Sequence, residues 1–167
     1  MATPHVGLTT GNVLDKLLDP GIKLGTSTPK ADPAGDYTWA MFRLADRLRP
    51  GSFAVLDTKA QQIVGGALPS APGSSPDPTI TALRDGVVDV ALGYCTSAQL
   101  RRRQLPTLHI VDIPDTLRVG PEYGLALLKE AQPAATGLML YILSVDGQAT
   151  LEKFGFRPVG LPSTSAP

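Results

Sequence analysis

Apolar positions along the chain follow two periods in turn, one near two residues and one near 3.6, which predicts an α/β arrangement. VGLTT (6–10) and IKLGTST (22–28) carry the short β-rich pattern, and between them 12–18 has the spacing of a short helix stopped by Pro20-Gly21. From Pro33 onward, Tyr37, Ala40, Met41, Leu44, Ala45 and Leu48 fall on one helical face, and Arg49-Pro50-Gly51 ends that helix. FAVLD (53–57) and QQIVGG (61–66) read as strand or strand–helix pieces. LPSAPGSSPDP (68–78) holds four prolines and reads as a loop. TITALRDG (79–86) reads as a helix with Gly86 at its end, and VVDVALGY (87–94) as a buried strand that delivers Tyr94, Cys95, Thr96 and Ser97 at its carboxyl end. LHIVDI (108–113) and EYGLALL (122–128) are expected strands, 134–154 is helical with a break near 144–147, and 159–167 is expected to be a flexible tail.

Composition narrows the function classes. Of 167 residues, 43 % are apolar and 18 % charged, values of an ordinary globular chain able to bury a core. Lys+Arg and Asp+Glu both number 15, so no overall field favours nucleic acid or an anionic membrane. Arg101-Arg102-Arg103 is the one local exception, and without interleaved aromatic residues it reads as a solvated loop or helix end. No apolar run approaches the length of a membrane helix, and MATPHVGLTTGN has neither the basic nor the apolar region of a secretion signal, so none is expected here.

The chemistry-bearing stretch is TSTPKADPAGDYTW (26–39), where hydroxyl residues precede a helix opening with Pro33-Ala34-Gly35. Proline in the first turn needs no N–H, and Ala and Gly let a ligand approach the backbone; the free amides and the helix dipole form an anion seat. A plain cap by Asp32 explains the same pattern, and both readings stay open at this point. Asp36 must point away from those amides if an anion sits there. Cys95 (the one cysteine), with only His5 and His109 as bases, makes a poor nucleophile site, since nothing places a base beside it. No phosphate-loop, dinucleotide-binding or hydrolase-elbow pattern occurs, and no metal cluster is expected. The expectation is therefore a non-enzyme without catalytic residues, metal or cofactor.

LLDPGIKLGTSTPKADPAGDY (17–37), ALRDGVVDVALGYCTSA (82–98) and YGLALLKEAQPAATGLMLYILSVDGQATLEKFGF (123–156) together resemble the substrate-binding proteins of molybdate ABC transporters, type II periplasmic binding proteins. The resemblance implies two α/β lobes around a cleft, a tetrahedral oxyanion ligand such as molybdate or tungstate held by neutral donors, a periplasmic location, and the membrane subunits of an ABC importer as partners. Carried over by residue, it implies ligand contacts from Ser27, Thr28, Ala34, Gly35, Tyr94 and Thr96, with Ala34 contributing its amide. A further ligand is expected from the loop near Asp77 and Pro78. The family also begins with a secretion signal and half of a first lobe that supplies two serine hydroxyls, none of which is recognised here. Residues 8–117 are thus expected to form the complete second lobe, and 118–158 a returning segment of the incomplete first.

Two consequences follow. Half a cleft offers half the donors, so oxyanion binding by this chain alone is expected to be weak. Leu138, Met139, Ile142 and Leu143 would expose apolar surface within 119–156, so the alternative function is a non-catalytic interaction or regulatory domain that reuses the lobe and forms a homo-oligomer there.

Overall fold

The computed structural model describes residues 1–65 and 77–159. The expected proline loop at 68–78 and the tail at 159–167 lie almost wholly outside the described residues. The chain forms two compact units, Met1–Gly120 and Pro121–Pro167.

In the first unit, three parallel strands form a sheet in the order β2–β1–β3, with β1 at Leu24–Ser27, β2 at Gln61–Val64 and β3 at Val90–Ala91. The antiparallel part of the expected mixed sheet is confined to isolated bridges from Ala2 to Val90 and to His109. Helices α1 (Val13–Leu18), α2 (Pro33–Leu48), α3 (Ser52–Lys59), α4 (Pro78–Arg84) and α5 (Cys95–Gln104) accompany it. Strand residues alternate between two cores, because successive side chains point to opposite faces. Leu24 and Val90 join Leu17, Phe42, Ala45 and Leu56 on one side, while Ala91 joins Leu83, Val88 and Ala98 on the other. Both faces of the sheet are covered, as parallel sheets require.

The α2 pattern behaves as its spacing predicts: Ala34, Thr38, Met41, Phe42 and Ala45 are buried along one stripe. Elsewhere tertiary context overrides local propensity. Residues 6–10 form no strand; Pro4–Val6 and Thr10–Asn12 are short 3-10 turns. Gly7 closes the first with φ 60°, and in the second the Thr9 N–H donates to Asn12 Oδ1 at 2.7 Å. Val6 and Leu8 still reach the core. FAVLD is helical because Gly51 (φ 90°) starts α3 and Asp46 Oδ1 accepts from the Gly51 and Phe53 amides. The expected strand at 108–113 is reduced to the His109 bridge, and that at 87–94 to two residues.

In the second unit, 122–128 is not a regular strand; a β-strand needs a partner to donate to, and the described residues of this unit contain none. Helices α6 (Pro133–Leu143) and α7 (Val145–Lys153) follow, with the break falling where expected. Ser144 makes that corner by donating from Oγ to Tyr141 O (2.7 Å) and accepting from the Gly147 N–H (3.2 Å). Gln148, 5 % exposed, donates to Ile142 O and accepts from the Val159 amide. No residue of α6 is buried, and Leu138, Leu140, Tyr141 and Leu143 are more than half exposed.

Candidate functional site

The strand order places the chain's next segments on both sides of β1: the path after β1 leads to β2 on one side, and the path after β2 returns to β3 on the other. Such a switch point opens a crevice at the carboxyl ends of the strands. Ser27 is the last residue of β1, and the β1–β2 register slips between Thr26 and Ser27, an irregularity of the kind that re-aims a side chain. A cavity of about 150 Å³ lies there, within the first unit, bordered by Ser27, Ala34, Thr79, Tyr94, Ser97 and Arg101, with Ile63, Val64 and Leu92 supplying apolar wall.

Three helices begin at this cavity, and they differ in how their first amides are used. At α2, the Asp32 side chain accepts from the Ala34 N–H at 2.9 Å, so the plain cap is present and the Ala34 amide is already satisfied. Asp36 accepts from the Lys30 N–H at 2.9 Å and so is turned onto the preceding turn. Gly35 serves close packing: a Cβ there would come within 2.5 Å of the Thr28 carbonyl carbon. Thr28 Oγ1 donates to Val64 O at 2.8 Å, which ties the end of β1 to β2.

At α4, Asp77 is the cap, with Oδ1 accepting from the Thr79 and Ile80 amides. Its Oδ2 accepts from Arg101 Nε at 2.8 Å. At α5, Tyr94 is the N-cap residue and makes no side-chain cap. The Cys95, Thr96 and Ser97 amides therefore have no partner among the described residues, since the first bond of the helix is Ala98 N–H to Tyr94 O. The Tyr94 ring packs edge-on against Tyr37 of α2, with centroids 6.2 Å apart.

Two hydroxyls sharpen the chemistry. Ser27 is 7 % exposed and Thr79 3 %, both border the cavity, and neither side chain has a hydrogen-bond partner among the described residues. Unlike Ser52 Oγ and Thr81 Oγ1, which are sealed without a partner, the Ser27 and Thr79 oxygens keep accessible surface, so both hydroxyls are open to water or to a bound acceptor. The lining thus brings the Ser27, Thr79 and Ser97 hydroxyls and Arg101 around a small space together with one carboxylate, Asp32, a set rich in donors for an acceptor-rich solute.

Of the residues expected from the sequence, Ser27, Ala34 and Tyr94 border the cavity, while Thr28, Gly35 and Thr96 stand beside it, the first two bonded or packed elsewhere. Thr79, Ser97 and Arg101 also border the cavity and were not among the expected ligand residues, although Ser97 was placed at the carboxyl end of the 87–94 strand. Thr79 was legible only as the start of a helix after a proline loop, and Arg101 as one of three apparently solvated arginines. Their arrival at the crevice depends on where α4 and α5 pack. His5 Nε2 lies 3.4 Å from Asp89 Oδ1, Cys95 is exposed, and no cluster of three metal-ligating side chains occurs among the described residues.

The family model described as bacterial extracellular solute-binding protein matches residues 2–157. The chain belongs to that family. An uncharacterised protein of Pasteurella multocida (strain Pm70), PM1146, is 36 % identical over 152 residues, covering 88 % of this chain and 60 % of that protein. The chain thus spans about three fifths of the length of this relative. No solved structure matches it. Membership agrees with a two-faced parallel sheet whose switch-point crevice is lined by donors, and among the described residues no helix is long and apolar enough to cross a membrane.

Proposed function

We propose that this member of the family carries one wall of the binding site for a tetrahedral oxyanion, molybdate or tungstate, in a receptor that feeds an ABC importer. The observation that carries this reading is the pair of hydroxyl residues, Ser27 and Thr79, that border one cavity with the first turn of α5 and have no side-chain hydrogen-bond partner among the described residues. The preference for molybdate or tungstate is supported by the resemblance of 17–37, 82–98 and 123–156, and a periplasmic location and non-catalytic role by the family. In this reading 8–117 is one lobe and 118–158 returns to the other, and the importer's membrane subunits are the partners. An oxyanion stripped of water needs most of its oxygens satisfied, so these donors supply part of its shell. Titration of the ¹⁵N-labelled chain with molybdate, tungstate and sulfate at millimolar concentration is expected to shift the Ser27, Thr79 and Cys95–Ser97 amide signals, more for the first two anions. Unmoved signals with all three would overturn the reading.

The exposed α6 favours a second reading, in which the chain is an interaction module. An eleven-residue helix without a charged side chain, PAATGLMLYIL, has no buried residue, and surface of that kind is normally covered. A homo-oligomer formed through 119–156 is then expected to sediment with a concentration-dependent mass, which Leu138→Glu and Leu140→Glu together should abolish. A monomer at every concentration would rule this out.

A further inference from the structure

Resting on the oxyanion reading, we propose that Arg101 is the countercharge of this site, and that Asp77 competes with the ligand for it. The resemblance implies neutral donors only; this crevice contains a guanidinium as well. The Arg101 side chain is 17 % exposed and the Asp77 side chain 27 %. Their contact is a single one, Nε to Oδ2 at 2.8 Å, and the terminal nitrogens of Arg101 form no hydrogen bond among the described residues. A guanidinium offers five donors in a planar fork, so one bond to Asp77 leaves donors with which it can pair an oxyanion. Here Asp77 accepts from Nε alone, and Arg101 borders the cavity shared with Ser27 and Thr79.

The charges around the crevice decide the direction of the effect. Asp32 borders the same cavity and Asp77 lies against Arg101, so two carboxylates and one guanidinium stand around the crevice. An incoming anion gains from Arg101, beside the apolar wall of Ile63, Val64 and Leu92 where charge is poorly screened, and is opposed by both carboxylates. Removing the Asp77 charge should therefore strengthen anion binding rather than weaken it. Asp77→Asn is a clean way to do so, because asparagine caps a helix as well as aspartate and leaves α4 capped.

The test is titration of the chain, Asp77→Asn, Arg101→Gln and Arg101→Lys with molybdate and with sulfate, at two ionic strengths, with a thermal melt of each. Loss of a charge-assisted hydrogen bond predicts affinity lower by about tenfold in Arg101→Gln, with a shallower salt dependence. Arg101→Lys, which keeps the charge without the fork, is expected to fall between. Asp77→Asn is expected to bind several-fold tighter at nearly unchanged melting temperature, an outcome that a structural ion pair does not produce. If the unaltered chain binds while Arg101→Gln matches it and Asp77→Asn gains nothing, the role given to Arg101 is wrong and the oxyanion reading stands. If neither the chain nor any variant binds either anion, both are overturned. Should Arg101→Gln fail to fold, the Asp77→Asn result decides alone.

Discussion

Gly35→Ala is expected to destabilise the first unit by about 2 kcal/mol or more, in spite of adding a better helix former. In an open helix the same change contributes about 1 kcal/mol of stability, because alanine has less backbone entropy to lose than glycine. At position 35 the new methyl would stand 2.5 Å from the Thr28 carbonyl carbon, 2.6 Å from Pro29 N and 2.7 Å from Thr28 O. These are backbone atoms, so no side-chain rotation relieves the clash. The turn from Thr28 to Asp32 must move, and it is held by Thr28 N–H to Val64 O (2.8 Å), Asp32 N–H to Thr28 O (3.0 Å) and Lys30 N–H to Asp36. Gly137, inside α6, has nothing within 4 Å of its would-be Cβ, so Gly137→Ala is expected to stabilise. Opposite signs for one chemical change, read from urea midpoints at constant slope, check the prediction. Equal signs would contradict the close approach of α2 to the end of β1.

Phe42→Ala is expected to cost about 3–5 kcal/mol, the range for emptying an aromatic site in a closed core. Phe42 is 0 % exposed and packs with Met41, Ala45, Leu17 and Leu56, its ring 5.1 Å from that of Trp39. Trp39 cannot turn inward cheaply to fill the space, because its Nε1 donates to Asp57 Oδ1 at 2.7 Å. Stability of small domains is about 5–15 kcal/mol, so this single change removes much of it. Leu48, at the end of the same helix and 54 % exposed, is the control: Leu48→Ala is expected to change stability by no more than about 0.5 kcal/mol. Chemical denaturation of both variants reads the difference directly.

The elements most legible in the sequence were those whose signals are local. The α2 stripe from Ala34 to Ala45, the proline and glycine stops at 20–21 and 49–51, and the α6–α7 break at Ser144 all follow from period, caps and breakers. The misread elements depend on partners far along the chain. VGLTT and LHIVDI have the composition of strands, yet 6–10 makes no bridge, 108–113 makes only that of His109 to Ala2, and 122–128 finds no strand beside it among the described residues of its unit. FAVLD has strand propensity but starts after a left-handed glycine whose amide Asp46 holds, and a helix results.

The crevice divides in the same way. Pro33-Ala34-Gly35 announced a helix start and a close approach, because proline and glycine act through their own backbone geometry. Whether the Ala34 amide was free could not be read there, since Asp32 and Asp36 were equally near in sequence, and only the fold sent one to the cap and the other to Lys30. Ser27 was recognisable as the end of a strand. Thr79 and Arg101 were not recognisable as its neighbours, since 52 and 74 residues separate them from it and their place depends on how α4 and α5 pack. The sequence by itself determined the α/β class, the family resemblance and the place where the backbone comes close to the crevice, all properties of short segments. The tertiary structure alone decided which hydroxyls remain unpartnered and which arginine faces the cavity, because both depend on long-range packing of α4 and α5 against a three-stranded sheet.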